Sequence, residues 1–195
     1  MTLVFDTETS GLFNFKLPAT HESQPHVVQF AAILLDDDYI ERAAFSAIVC
    51  PEDWQISKGA SDVHGITQEI AERVGLPLAF VLDLFDDWRV RCSTFVAHNF
   101  PFDASIMSSA LHRTNRTSFD PGWKVCTMRS MTDVMKLPGN YGKWKWPKLA
   151  EAYQHCTGQP LEDAHDALVD VRACAVVYRW LRQNVAAEPS VQLVI

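Results

Sequence analysis

The stretch Val4–Leu12, VFDTETSGL, runs an apolar segment straight into two carboxylates, Asp6 and Glu8, with one residue between them. Side chains two apart on a strand share a face, so these acids converge on one point. A buried strand that ends this way needs something to cancel the charge. Thr9, Ser10 and Gly11 follow, and residues this small let a ligand approach the backbone closely. A D-x-E pair standing alone is more often a solvated strand end than a site.

Two other stretches supply acids. In AHNFPFD (Ala97–Asp103) a strand ends near His98 and Pro101 stands where a helix starts, which puts Asp103 in a first turn. An acid there also suits the helix dipole with no further role. In HDALVD (His165–Asp170), the helical neighbours of Asp170 are Ala167, Ala173, Cys174 and Val177. A carboxylate on that small, apolar stripe is buried and needs a partner. Helical spacing alone pairs Asp170 with Asp166, one turn earlier, rather than with His165. Asp166 and Asp163 also read as halves of a capping arrangement, and His165 as a first-turn residue with a structural hydrogen bond.

Taken together, Asp6, Glu8, Asp103 and Asp170 gather at strand ends and the facing helices. Gathered without a counter-ion they raise one another's pKa values, and no Lys or Arg is close in sequence to neutralise them. Hard divalent cations with oxygen ligands do so, and Mg²⁺ or Mn²⁺ is the natural choice.

The rest of the pattern reads as α/β. Strands are expected at Thr2–Asp6, His26–Asp38, Tyr39–Val49, Ser93–His98 and Trp123–Thr127, with Asp36–Asp38 turning a hairpin. A helical region is expected after Val49, clearest within Thr67–Gly75 and Pro77–Val90, and further helices over Pro101–Arg113, Met128–Lys136, Pro147–Thr157 and Asp163–Asn184. Three strands followed by strand–helix alternation imply an α/β sandwich with a mixed sheet. One domain over residues 1–184 and a tail over 185–195 account for the chain.

No run approaches the roughly 18 apolar residues of a membrane span, so no membrane partner is expected. No basic and apolar leader precedes the first strand. Five cysteines without any C-x-x-C pair read as reduced thiols, the usage of a cytoplasmic protein. The formal net charge is -7, which opposes a polyanionic partner until its distribution is considered. Residues 113–148 hold eight Lys or Arg against Asp120 and Asp133, a local +6, so the remainder carries -13. An acidic body with one basic segment suits a metal site beside a phosphate-binding surface. Within that segment YGKWKWPK (Tyr141–Lys148) interleaves Lys143 and Lys145 with Trp144 and Trp146. Such a stretch fits stacked bases and phosphates, or core packing of the two tryptophans.

DTETSG, AHNFPFD and HDALVD, in that order, resemble the three motifs of the DEDDh, or DnaQ-like, 3′→5′ exonucleases, most of all stand-alone bacterial or phage members. The resemblance runs from Thr2 to about Asn184 and implies a ribonuclease H-like fold, a five-stranded mixed sheet flanked by helices. It implies two Mg²⁺ or Mn²⁺ ions held by Asp6, Glu8, Asp103 and Asp170. It also selects His165, not Asp166, as the general base, and nucleoside 5′-monophosphates as products. Leu12 matches a residue that wedges against the terminal base. HGI, His64–Ile66, resembles a segment lining the 3′-nucleotide pocket, although Ile66 reads equally well as a buried helix-turn residue. Thr9, Gly11, Asn99, Lys143, Trp144 and Lys145 complete the expected substrate contacts. The segment from Phe13 to Pro25 is longer than in compact members, a mobile substrate-contacting loop or surface elaboration.

The partner implied is nucleic acid, single-stranded DNA or DNA 3′ ends, with DNA repair or proofreading as the setting. An RNA-trimming exoribonuclease is the alternative, because chemistry at phosphorus does not read the sugar. A catalytically silent nucleic-acid-binding module is a third reading, opposed by the intact set of acids. No polymerase- or clamp-binding region is apparent, and oligomeric state is not legible.

Overall fold

In the computed structural model, which describes residues 1–162 and 165–185, five strands form one sheet. They are β1 (Thr2–Thr9), β2 (Val27–Leu35), β3 (Glu41–Ile48), β4 (Thr94–Ala97) and β5 (Trp123–Cys126). Among the described residues the helices are α1 (Lys58–His64), α2 (Gln68–Val74), α3 (Leu78–Arg89), α4 (Phe100–Arg113), α5 (Thr127–Met135), α6 (Leu149–Thr157) and α7 (Ala167–Asn184). The spatial order is β3-β2-β1-β4-β5, antiparallel from β3 to β1 and parallel from β1 to β5. This is the mixed five-stranded, ribonuclease H-like α/β arrangement expected from the sequence.

Both faces of the sheet are covered. Leu3 and Phe5 of β1 pack with Phe30, Phe85, Met107 and Leu111 on the side of α3 and α4. Val4, between them, packs with Val171, Cys174 and Tyr178 of α7 on the other side. All nine residues of β2 are buried, as a central strand covered on both faces requires.

The register decides where the site forms. Val4 pairs with Val96, so Ala97, the last residue of β4, is level with Phe5. β1 continues to Thr9, leaving Asp6–Thr9 without a strand neighbour on that side. Between Glu8 and Thr9 the pairing with β2 skips Val28, an irregularity of the kind found beside functional sites.

Several boundaries differ from the sequence reading. β1 contains Asp6 and Glu8 instead of stopping at the first. Helix α1 falls in the region read as helical but outside its clearest pieces, because its seven residues bury nothing and leave no periodic stripe. Helix α6 begins two residues later than Pro147. Helix α7 begins at Ala167, since the Asp166 side chain accepts from Leu168 N and Val169 N and caps it. Asp163 and residues 186–195 of the expected tail lie outside the described residues. Among the described residues no helix is long and apolar enough to cross a membrane.

Candidate active site

The overhang of β1 is filled by the first turn of α4. Asn99 links β4 to α4 in the left-handed region, at φ 76° and ψ 48°, which asparagine tolerates better than most residues. That sharp turn swings Asp103 towards β1. Its Oδ1 accepts from Thr7 N at 3.0 Å and Thr7 Oγ1 at 2.8 Å, taking a backbone donor that no strand partner takes. Asp103 therefore does more than balance its own helix dipole.

Asp6 and Glu8 alternate with Thr7 and so lie on the Val4 face, which α7 covers. From α7, Asp170 comes up to meet them, 8% exposed, and Asp103 is 2% exposed. A ligand atom of Glu8, one of His165 and one of Asp170 all lie within 4.8 Å of one another. His165 stands outside the helix at φ 76°, and its N–H donates to Asp170 Oδ2 at 3.1 Å. The Asp166 side chain caps α7, and its charge adds to the rise in pKa of both Glu8 and Asp170.

Among the described residues no basic group cancels these acids. Every Lys, Arg or terminal amine within 4.0 Å of a carboxylate is paired with other acids. Burial, then the neighbouring carboxylates, push Glu8 up to about 8. The same two causes hold Asp6 well above the usual range. Burial raises Asp103 against the opposing hydrogen bonds from Thr7, and burial raises Asp170 too. Asp170 Oδ1 is buried and lacks a hydrogen-bond partner among the described residues. An orphaned carboxylate oxygen among like charges, ringed by oxygen donors and an imidazole, fits a hard divalent cation.

Beside the acids opens a cavity of about 540 Å³. Thr7, Glu8, Thr9, Gly11 and Leu12 form one wall, and α1 with its cap Ser57 forms another. Leu12 is 92% exposed at the rim. Thr9 Oγ1 donates to Gly11 O at 2.7 Å and closes the turn, while a Cβ on Gly11 would meet nothing within 4 Å. His64 lines the cavity, with Nδ1 accepting from Ile66 N at 3.1 Å. Ile66 itself is buried with Val28 and Ala71, so the core reading of that residue holds and the lining role passes to His64. Asn99 acts through its backbone turn, and its side chain makes no cap bond. Phe102, Val63 and Ala60 also line the cavity and were not foreseen. The signal for α1 was Ser57 before the segment and Gly65, at φ 74°, after it.

The basic segment stands near the same sheet end. His98, just past β4, shares a hydrogen bond with Thr127 Oγ1 at 2.9 Å and donates through Nε2 to Pro147 O at 3.0 Å. Burial lowers its pKa to about 4, so it remains neutral. Trp144 and Trp146 are 50% and 60% exposed, which excludes the core reading for both. Lys143 is exposed, whereas Lys145 Nζ pairs with Glu151 at 2.6 Å and carries less free charge than its sequence position implied.

A carboxylate cluster converging from three chain segments beneath an open cleft is a candidate centre for metal-assisted hydrolysis. The family model for the RNase_T exonuclease domain matches residues 3–178, and the chain belongs to that exonuclease family, which depends on divalent metal. Escherichia coli exonuclease I in complex with a dT13 oligonucleotide is similar in fold, with a TM-score of 0.77 and 21% identity over 95% of this chain. Exonuclease I of Methylocaldum szegediense is similar at a TM-score of 0.73 and 21% identity over 95% of this chain. The chain spans 42% and 41% of those two proteins. Exonuclease X in complex with 5′-overhanging duplex DNA is similar at a TM-score of 0.65 and 20% identity, covering 94% of this chain and 93% of that one. No curated protein matches the sequence significantly.

The raised pKa values set a pH dependence. A carboxyl whose folded pKa lies above its unfolded one contributes stability that is fully present below about pH 4 and is lost as pH rises through about 8. In EDTA the melting temperature should therefore fall between about pH 5.5 and pH 8, at about 2–4 °C per kcal/mol for a chain of this size. Mg²⁺ should raise it more at the higher pH than at the lower, and Asp170→Asn should abolish that gain. Differential scanning fluorimetry at both pH values checks this; an equal Mg²⁺ effect at both, or one surviving Asp170→Asn, would contradict it.

Proposed function

We propose that this chain is a metal-dependent 3′→5′ exonuclease that hydrolyses phosphodiester bonds at the 3′ end of single-stranded DNA or DNA ends, releasing nucleoside 5′-monophosphates. One observation carries the reading: four acids from three chain segments meet without a basic partner among the described residues, with His165 beside them. The similar folds belong to exonucleases bound to an oligonucleotide or to duplex DNA, which supports nucleic acid as the partner. The domain is taken as residues 1–184, and the reduced-thiol composition supports a cytoplasmic setting.

In this reading Asp6, Glu8, Asp103 and Asp170 hold two Mg²⁺ or Mn²⁺ ions. When bound, such ions supply Lewis-acid charge that lets all four acids ionise and offsets charge developing on the scissile phosphate. Thr7 keeps Asp103 aimed at the site through its two hydrogen bonds. His165 removes the proton from the attacking water as the new oxygen–phosphorus bond forms. The bond to the 3′-oxygen of the preceding nucleotide breaks, and that oxygen leaves with a proton from solvent. The left-handed backbone of His165 and its N–H bond to Asp170 orient the imidazole. Leu12 at the rim meets the terminal base, while Thr9, Gly11 and His64 line the pocket that receives it. Exposed Lys143, Trp144 and Trp146 grip the strand beyond the reacting phosphate.

EDTA and Asp103→Asn should each abolish digestion of a labelled oligonucleotide, and Mg²⁺ or Mn²⁺ should restore the wild type. Matched DNA and RNA strands, blocked at either end, report the preferred sugar and the polarity; digestion from the 5′ end would overturn the assignment. His165→Ala should cost about 10²–10⁴ in rate. Asp166→Ser, which keeps a capping oxygen, should be far milder. If Asp166→Ser is the inactive variant, the base has been misassigned.

Lys143→Ala with Trp144→Ala should weaken single-strand binding in Ca²⁺. The log–log salt slope should flatten by roughly 0.7, because one phosphate is no longer neutralised. Turnover at saturating substrate should change little. Unchanged affinity and slope in a salt titration would place the strand elsewhere.

A further inference from the structure

A second cavity, of about 360 Å³, lies on a different flank of α4 from the acidic site. The first turn of that helix separates the two: Phe102 lines the acidic cavity, Phe100 and Pro101 the other. Lys124 of β5 and Arg129 of α5 both line the second cavity and are half-buried. Among the described residues neither has a carboxylate within 4.0 Å, and Asp120, which also lines the cavity, forms no ion pair with them. Arg129 is in the first turn of its helix, where the dipole disfavours a cation, and no acidic residue in that turn compensates. Two partly desolvated cations beside the positive end of a helix call for an anion.

The remaining walls suit an aromatic or sugar ring. Phe119 is fixed edge-on against Phe5, Phe85 and Phe95, with centroids 6.0, 5.2 and 5.3 Å away, so that wall is preformed. Pro121 extends it. The hydroxyls of Ser105 and Ser108 donate to Pro101 O and Ala104 O, both at 2.7 Å, which leaves their lone pairs free to accept from a ligand. The volume lies within the range of about 300–1,000 Å³ usual for small-molecule sites.

We propose that this cavity holds one nucleotide unit, its phosphate on Lys124 and Arg129 and its ring against Phe119 and Pro121. The inference rests on the exonuclease reading for the kind of ligand present. The unit comes either from the bound strand, upstream of the scissile bond, or from a free nucleoside 5′-monophosphate, the product.

The test is the double variant Lys124→Gln/Arg129→Gln, with binding measured in Ca²⁺ by fluorescence anisotropy. If the unit belongs to the strand, a DNA of about 12 nucleotides binds about tenfold more weakly, and its log–log salt slope falls by roughly 1.4, about 0.7 for each cation removed. A dinucleotide, whose single phosphodiester is taken by the acidic site and leaves none for the second cavity, keeps its affinity. If the unit is free product, dTMP binding to the Asp103→Asn protein, followed by NMR titration, persists there and vanishes when the two Gln substitutions are added. Either result supports the site and names its source. Unchanged binding in both arms overturns it. So does equal weakening of the short and long strands with dTMP binding intact, because the substitutions would then be acting through the acidic site. Failure of the wild type to digest any strand in Mg²⁺ would count against the exonuclease reading alone, since every readout here is binding.

Discussion

The hydrogen bonds between Thr7 and Asp103 are the constraint on which the site depends. β4 stops level with Phe5 while β1 runs on to Thr9, so the last residues of β1 need other partners on that side. A carboxylate from α4 takes the place of a strand at Thr7. Because side chains alternate along β1, the donor Thr7 addresses α4 while its neighbours Asp6 and Glu8 address α7. One strand overhang thus draws helices from both faces of the sheet to one point. Extending β4 by two residues would satisfy the same N–H and leave Asp103 nowhere to go.

The charge gathered there opposes folding. Each acid is held above its ordinary pKa chiefly by burial, and mutual repulsion adds to that at Asp6 and Glu8. A site that binds cations tightly has to be unfavourable without them, so this strain and the proposed metal affinity are two readings of one electrostatic fact. The rest of the fold supplies the stability. Phe5, Phe30, Phe85, Phe95 and Phe119 interlock on one side of the sheet, and α7 closes the other.

The sheet and the acid cluster were legible because period and burial left marks in the sequence. D-x-E placed two acids on one face, and the apolar stripe around Asp170 betrayed its burial. HDALVD was harder to read. Helical spacing favours Asp166, yet Asp166 ends the helix as its cap and His165 is thrown clear by a left-handed turn, which spacing cannot encode. The tryptophans of KWKWPK were ambiguous for a related reason: an irregular segment has no period to say which side faces out. The Phe13–Pro25 segment, open between mobile loop and elaboration, is internally tied. The buried Gln24 side chain bonds Asn14, Leu17 and Pro18, and Arg113 donates to Glu22, Gln24 and Pro25 carbonyls. Only long-range partners reveal that, and a sequence does not pair Arg113 with a loop so far upstream.

That tied segment bears on how an acidic protein manages a polyanion. Ala19 reaches the rim of the second cavity, so the loop, α4 and β5 form one flank around Lys124 and Arg129. On the reading proposed above, the acidic cavity repels phosphate until its charge is offset, whereas Lys124, Arg129 and exposed Lys143 attract it throughout. Under the proposed reading, a strand is therefore held first by the positive flank and admitted to the acids only when cations occupy them. The overall charge of -7 then works against loose, non-specific retention, and the unpaired cations nearest the two cavities decide where a phosphate can rest.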